Sequence, residues 1–130
     1  MDCSKALKKA NGDFAVAEKL LQEQGLAKAG KREGRETGAG LVESYVHGGR
    51  IGVLLDIRAE TDFVVRSDPF RDLAHELVMQ IAASGPEDVD ALLASPYIKD
   101  ESKTVKDLVS AVIAKVGENI TVNKFYRLEI

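Results

Sequence analysis

Apolar side chains recur every three or four residues in two segments of the chain, which is the spacing of one face of an α-helix. The first set is Phe70, Leu73, Ala74, Leu77, Val78 and Ile81, and the second is Val105, Leu108, Val109, Val112, Ile113 and Val116. Asp68, as N-cap before Pro69, predicts the start of the first helix. Thr104 and Asp107 have the spacing of a capping box at the start of the second helix, and Gly117 is expected to end it.

Alternation with a period of two predicts a β-hairpin between residues 41 and 58. Residues 41–47 and 50–58 flank Gly48 and Gly49, which supply the positive φ that a tight turn needs. In the second of these segments the alternating apolar residues are Ile51, Val53, Leu55 and Ile57. We therefore expect one face of this strand to be buried.

Residues 119–130 are rich in β-branched and aromatic side chains and predict a further strand. Phe125 and Tyr126 break its alternation, which indicates either a bulge or a strand covered on both faces. The order of elements is then two strands, two or three helices and a last strand. This order favours an α+β fold, a three-stranded antiparallel sheet with helices packed on one face.

The first 40 residues differ in pattern from this body. Residues 1–25 are interpreted as two short helices, separated by a turn at Asn11 and Gly12. Residues 26–40 contain four glycines and no large apolar residue after Leu26, which is typical of a linker. The body is therefore predicted to begin at Leu41.

Composition and charge narrow the classes of partner. With 130 residues, 45% of them hydrophobic, the chain is expected to be a soluble globular protein with one core. It has no apolar run of the ~18 residues that a membrane span needs, and a single cysteine, so we expect a cytoplasmic protein that binds no membrane. Residues 37–130 carry 10 Lys and Arg against 15 Asp and Glu, within a net charge of −3 for the chain. An acidic body argues against direct nucleic-acid binding.

No residues have the spacing of a catalytic or metal site. His47 and His75 lack a Ser, Cys or carboxylate partner at an interpretable spacing and are interpreted as surface histidines. The glycines at 38–40 precede a strand, whereas phosphate-binding loops follow a strand and open a helix. Cys3 is interpreted as an inert helix residue. We therefore expect no enzyme activity, no cofactor and no metal ion.

Phe63 stands out because it is a large aromatic residue in the polar segment at residues 60–64, between the end of a strand and the start of a helix. Two interpretations are open. The ring folds back onto the core beside a solvated Asp62, or it projects from the surface as a knob.

Four stretches of the chain also carry a family resemblance. They are MDCSKALKKANGDFAVAEKLLQEQGLAKAGK, YVHGGRIGVLLDIRAETDFVVR, AHELVMQIAAS and IAKVGENITVNKFYRLEI. In this order they resemble the bacterial elongation factor Ts family over nearly the whole chain. The resemblance implies a partial UBA-like N-terminal module at residues 1–25, a linker at 26–40 and the family's core or dimerisation domain at 41–130.

Three features depart from the family pattern. The family's N-terminal module begins with an earlier helix, so this chain is expected to lack that first helix. The segment at residues 85–103 is shorter than in members that carry a helical coiled-coil insertion. The chain has one core subdomain, whereas some members have two. Because members with one subdomain are dimeric, the resemblance implies a homodimer that forms through the sheet.

The resemblance implies a guanine-nucleotide exchange factor for elongation factor Tu, the GTPase that delivers aminoacyl-tRNA. In the family an Asp-Phe pair inserts between helices of the GTPase, and that pair here is Asp62 and Phe63, flanked by Thr61 and Val64. The other positions that match family contact regions are Met1, Asp2, Lys5, Leu7, Val116, Gly117, Glu118 and Asn119. The alternative is a binding module, associated with the ribosome or an elongation factor, that kept the fold and lost exchange activity.

Overall fold

The computed structural model describes residues 34–130, so the N-terminal module predicted for residues 1–25 and the first part of the linker lie outside the described residues. The strands are β1 (Ala39–His47), β2 (Ile51–Ala59), β3 (Pro96–Tyr97), β4 (Asp100–Thr104) and β5 (Ile120–Glu129). The helices are α1 (Asp62–Val65), α2 (Asp68–Ser84), α3 (Val89–Ala94) and α4 (Val105–Val116). The first strand thus begins at Ala39, two residues before the predicted start.

The expected α+β fold is confirmed. Strands β1, β2 and β5 form a three-stranded antiparallel sheet with β2 in the centre. Gly48 and Gly49 adopt φ values of 58° and 67° in the turn between β1 and β2. The Arg50 backbone N–H donates to the His47 carbonyl at 3.1 Å and closes this turn. Two successive residues with positive φ match the twist of the two strands, which explains the paired glycines.

The predicted bulge in the last strand is present, although not at the aromatic pair. Asp56 is opposite Lys124 and Ile57 is opposite Val122, so the register skips Asn123. Phe125 and Tyr126 follow ordinary alternation. The partner of Phe125 is the buried Leu55, and the partner of Tyr126 is the exposed Leu54.

Helix α2 covers one face of the sheet, where it contacts β1 and β2, and α4 packs against α2 and α3. All six residues of the first predicted apolar set are buried. The second set is buried at Val105, Val109 and Ile113 and partly buried at its other positions. Thr104 and Asp107 form the predicted capping box at the start of α4. The periodicity therefore predicted which helix faces form the core.

One local prediction is wrong. The N-cap of α2 is Ser67 and not Asp68, which is the first helical residue and precedes Pro69. The Ser67 hydroxyl donates to the Val64 carbonyl at 2.6 Å and makes no capping bond to α2. Ser67 is extended, with φ of −73° and ψ of 151°, and the order of residues before a proline does not show whether the N-cap is one or two residues upstream.

The β3–β4 hairpin is an element that the sequence pattern did not predict. The buried Gln80 of α2 holds this hairpin, because its Nε2 donates to the Pro96 carbonyl at 3.1 Å and its Oε1 accepts the Ile98 backbone N–H at 3.0 Å. Both strands are too short to produce a recognisable alternation. Within residues 34–130, every helix is too short or too polar to traverse a lipid bilayer.

Candidate functional site

Phe63 is the most exposed large hydrophobic residue among residues 34–130, with 85% of its surface accessible. It lies in α1, a helix of four residues that directly follows β2 through Glu60 and Thr61. Val64 and Val65 bury their side chains in the core, and since successive helical residues point about 100° apart, Phe63 faces away from it. The interpretation of Phe63 as a core residue is therefore wrong.

The start of α1 is fixed by hydrogen bonds from a distant segment. Thr61 is the N-cap, and its hydroxyl accepts the Val64 backbone N–H at 3.4 Å. The same hydroxyl donates to Oε2 of Glu118 at 2.8 Å, and the Thr61 backbone N–H donates to Oε1 of Glu118 at 3.0 Å. Glu118 thus binds both donors of one residue that lies 57 positions earlier in the chain.

A second carboxylate connects the same two segments in the opposite direction. The Asn119 backbone N–H donates to Oε2 of Glu60 at 2.5 Å. The sequence motifs assign residues 61–64 and 116–119 to the site separately, and the structure brings the two segments side by side. In the sequence, the contact between these two segments is visible only as two acidic residues, Glu60 and Glu118. Neither hydrophobic periodicity nor residue spacing predicts that these carboxylates bind the opposite segment.

The described chain also enters the fold beside this site. The buried Asn119 donates from Nδ2 to the Arg35 carbonyl at 2.9 Å, and the Arg35 guanidinium lies 3.8 Å from the Glu60 carboxylate. Thr37 and Thr121 share a hydrogen bond of 2.8 Å between their hydroxyls. The segment around Arg35 and Thr37 is therefore held against Glu60, Asn119 and Thr121. Met1, Asp2, Lys5 and Leu7, the remaining predicted contact positions, lie outside the described residues.

The family contact loop has structural roles of its own. Gly117 ends α4 with φ of 79°, a left-handed conformation that favours glycine, and its backbone N–H donates to the Ile113 carbonyl. Val116 is partly buried against the core. Both roles that the sequence suggested for these residues, helix end and core contact, are therefore present.

The opposite side of the sheet from α2 exposes apolar side chains. Exposed large hydrophobic residues on this outer face are Val42, Val46, Leu54, Tyr126 and Leu128, and Ile130 follows the end of β5. Gly52 lies between Val46 and Leu128 in the register, so the centre of this row carries no side chain. We call these residues the outer face.

A polar cluster borders the outer face. The Arg58 guanidinium donates two hydrogen bonds to the Asp56 carboxylate, at 3.0 and 3.1 Å, and Asn123 Nδ2 donates a third at 2.8 Å. The bonds from Arg58 and Asn123 lower the pKa of Asp56. The carboxylate is therefore satisfied within the chain.

The described residues contain no group of three His, Cys, Asp or Glu side chains arranged to hold a metal ion. His47 and His75 are both exposed, as expected. His47 contacts the Tyr45 hydroxyl through Nδ1 at 3.0 Å. The prominent chemical feature of residues 34–130 is thus an exposed aromatic side chain on a short, hydrogen-bonded helix, which is typical of a protein-binding surface.

Comparison with known proteins assigns this α+β domain to a family. The family model described as Elongation factor TS matches residues 60–130. The chain is 40% identical over 176 residues to Elongation factor Ts of Moorella thermoacetica, covering 100% of this chain and 87% of that protein. It is 39% identical over 176 residues to Elongation factor Ts of Fervidobacterium nodosum, covering 100% and 89%. The chain belongs to the elongation factor Ts family, as its sequence motifs indicated.

Proposed function

We propose that this protein is a guanine-nucleotide exchange factor that binds elongation factor Tu in the cytoplasm and promotes GDP release during translation elongation. Membership of the elongation factor Ts family supports this function. The observation that carries it is the exposure of Phe63 beside Asp62, at the position of the family's inserted Asp-Phe pair. An apolar ring held in solvent gains free energy when a partner buries it.

The proposed mechanism requires no covalent step. Burial of a phenylalanine side chain contributes roughly 1.5–3 kcal/mol, which favours a conformation of the GTPase with Phe63 inserted. Asp62 presents a carboxylate that accepts hydrogen bonds from groups around the GDP-bound Mg²⁺. Mg²⁺ demands near-ideal octahedral geometry, so a small displacement of those groups weakens its binding. Thr61 and Val64 hold the pair in place.

The coupling between factor and nucleotide is reciprocal. If factor binding weakens GDP binding, GDP weakens factor binding by the same amount of free energy. The protein therefore accelerates exchange in both directions, and the supply of GTP determines which nucleotide is bound at the end.

The proposed contact surface extends beyond Phe63. Val116 and Gly117 lie on the loop beside α1, where a partner that buries Phe63 also reaches them, whereas Asn119 is buried and holds this loop to Glu60 and Arg35. Met1, Asp2, Lys5 and Leu7 are proposed contacts of the N-terminal module. In support of this arrangement, Arg35, close to the start of the described chain, is held against Asn119.

GDP release from elongation factor Tu, followed with a fluorescent GDP analogue, tests this function. We expect the wild-type protein to accelerate release and Phe63→Ala to lose most of the acceleration. Ile98→Ala is the matched control, because Ile98 is also an exposed hydrophobic residue but lies on the link between β3 and β4. Binding to elongation factor Tu without any acceleration by the wild-type protein contradicts exchange activity and supports an exchange-inactive binding module instead.

We further propose that two copies associate through the outer face. Its apolar side chains lie on all three strands of the sheet, and a two-fold axis brings the same surface of each copy together. Light scattering at tens of micromolar protein is expected to give the mass of a dimer. Leu54→Lys at the centre of this face is expected to yield a monomer, and Ile98→Lys is the control. A monomeric wild-type protein contradicts the proposal.

A further inference from the structure

Glu118 directs both of its carboxylate oxygens to a single residue. Oε1 accepts the Thr61 backbone N–H, and Oε2 accepts the Thr61 hydroxyl. Thr61 is the N-cap of α1, so these two bonds hold the residue at which the helix begins. Glu118 directly follows Gly117, whose left-handed conformation turns the chain from α4 towards α1.

We propose that Glu118 is a positioning residue that acts through Thr61, because it fixes α1 in the orientation that presents Phe63 to the partner. This inference rests on the proposed function for the role of Phe63 itself. It assigns Glu118 a function within the chain, in place of the direct partner contact that its position in the family loop implies.

Helix α1 needs such external support. A helix of four residues is unstable by itself, because nucleation fixes several backbone dihedrals for one hydrogen bond. Phe63, its largest side chain, is 85% exposed and adds little packing. Val64 and Val65 bury their side chains and Ser67 binds the Val64 carbonyl, so the anchoring contacts lie at the C-terminal end of α1. The orientation of the helix therefore depends strongly on its N-terminal hydrogen bonds.

The Glu118 carboxylate also orients the cap itself. A threonine hydroxyl has one hydrogen and two lone pairs. When that hydrogen points at Oε2 of Glu118, a lone pair of the Thr61 hydroxyl remains for the Val64 backbone N–H. Loss of the carboxylate frees the hydroxyl to rotate, so the capping bond weakens as well.

The neighbouring contact makes the inference testable without unfolding the loop. Glu60 still accepts the Asn119 backbone N–H when Glu118 is replaced, so residues 60 and 119 stay together. Glu118→Ala is thus expected to loosen α1 while α2 and α4 keep their packing. Glu101→Ala, at an exposed position on β4, is the matched control for the loss of a glutamate.

Amide hydrogen exchange of the full chain without partner is the first test. Glu118→Ala is expected to accelerate exchange of the Val64 and Val65 amides about tenfold, because hydrogen bonds to a charged group are the stronger ones. Amides of α2 and α4 are expected to keep their protection, and Glu101→Ala is expected to match wild type throughout. Unchanged protection of Val64 and Val65 in Glu118→Ala overturns the inference.

The dependence of GDP release on factor concentration is the second test. If α1 is correctly placed only a fraction of the time, the apparent affinity for the partner falls to that fraction of its full value. The rate of GDP release at saturation is unchanged. We expect Glu118→Ala to raise the half-maximal concentration about tenfold. A lower rate at saturation, with an unchanged half-maximal concentration, overturns the inference.

A double-mutant cycle separates positioning from direct contact. Thr61→Val removes the hydroxyl and keeps the side-chain shape. The combined effect of Thr61→Val and Glu118→Ala is expected to be smaller than the product of the two single effects. Thr61→Ser retains the hydroxyl, so Glu118→Ala is expected to keep its full effect when it is combined with Thr61→Ser. Independent, multiplicative effects mean that Glu118 does not act through Thr61.

Amide exchange and GDP release together distinguish failure of this inference from failure of the proposed function. If the wild-type protein does not accelerate GDP release, the proposed function fails, and with it the presentation of Phe63 to that partner. The amide exchange measurement then still decides whether Glu118 fixes α1.

Discussion

Phe63 and Phe70 are seven residues apart, and each lies within the first turn of a helix, yet their environments are opposite. Phe63 is 85% exposed and Phe70 is completely buried. Phe70 belongs to a helix of 17 residues whose buried face runs the full length of α2, whereas Phe63 belongs to a helix of four residues whose valines occupy the available core space. The comparison shows that the length of the helix and the residues beside the ring decide whether a phenylalanine is buried. The residue type alone does not decide it.

The largest expected effect is a loss of stability when Phe70, the buried phenylalanine, is replaced. Phe70→Ala removes a ring that is fully enclosed in the core and leaves a cavity, so the free energy of unfolding is expected to fall by about 3–5 kcal/mol. Denaturant melts measure this change. Phe63→Ala is the matched control, with an expected change of about 0.5 kcal/mol. Similar losses of unfolding free energy in Phe70→Ala and Phe63→Ala would contradict the assignment of one ring to the core and the other to the surface.

Replacement of Phe63, the exposed phenylalanine, is expected to change the rate of GDP release rather than stability. Phe63→Ala removes an apolar contact with the partner, and a loss of ~2.8 kcal/mol of differential binding slows stimulated GDP release about a hundredfold. Fluorescent GDP release from elongation factor Tu measures the rate, with Phe70→Ala excluded because it lowers stability. A stable Phe63→Ala protein with undiminished exchange would remove the basis for placing the active surface at α1.

A smaller effect is expected where α2 holds the β3–β4 hairpin. Gln80→Met keeps the side-chain length but leaves the Pro96 carbonyl and the Ile98 backbone N–H without their bonds. An unsatisfied group in a partly buried position costs about 1–3 kcal/mol of unfolding free energy. Glu101→Ala, which removes an exposed side chain from β4 of the same hairpin, is the control and is expected to change stability by less than about 0.5 kcal/mol. An equal effect at both sites contradicts the role assigned to Gln80.

The smallest effect is a dependence of stability on alkaline pH. Burial and the hydrogen bond to Glu76 raise the pKa of Tyr97 to about 12, above the ordinary value of 10.0 for tyrosine. The folded state therefore holds the proton more tightly than the unfolded chain. The resulting stabilisation is fully present below pH 10 and is lost as the pH rises towards 12. Melts of wild type and Tyr97→Phe across this range are expected to converge, and parallel curves contradict the assignment.

Glu76 connects this pH dependence to the hairpin. Burial tends to raise the Glu76 pKa, but hydrogen bonds from Lys99 and Tyr97 outweigh it, so the net shift is downward. The stabilisation from ionised Glu76 is present above the pKa that Glu76 has in the unfolded chain. It is lost as the pH falls through the lower pKa of the folded state. The hairpin is therefore expected to be held most firmly at neutral pH.

Local rules predicted much of this fold because they act over a few residues. The positions of α2 and α4 followed from apolar periodicity, the turn between β1 and β2 from paired glycines, and the start of α4 from a capping box. The bulge was expected from an irregular pattern, but its place at Asn123 depends on how β5 aligns with β2. Pairing between distant strands is decided by the whole sheet, so the sequence located the irregularity only approximately.

The candidate site divides in the same way. The motif around Asp62 and Phe63 was recognisable in the sequence, but the residues alone left burial or exposure of Phe63 open. The two hydrogen bonds that Thr61 donates to Glu118, and with them the placement of the exposed ring, exist only because α4 ends beside the end of β2. Periodicity and caps are local properties of the chain and could be read from the residues. A carboxylate and its hydrogen-bond donors that lie 57 residues apart meet only after the core has packed, and so the tertiary structure alone decided how Phe63 is presented.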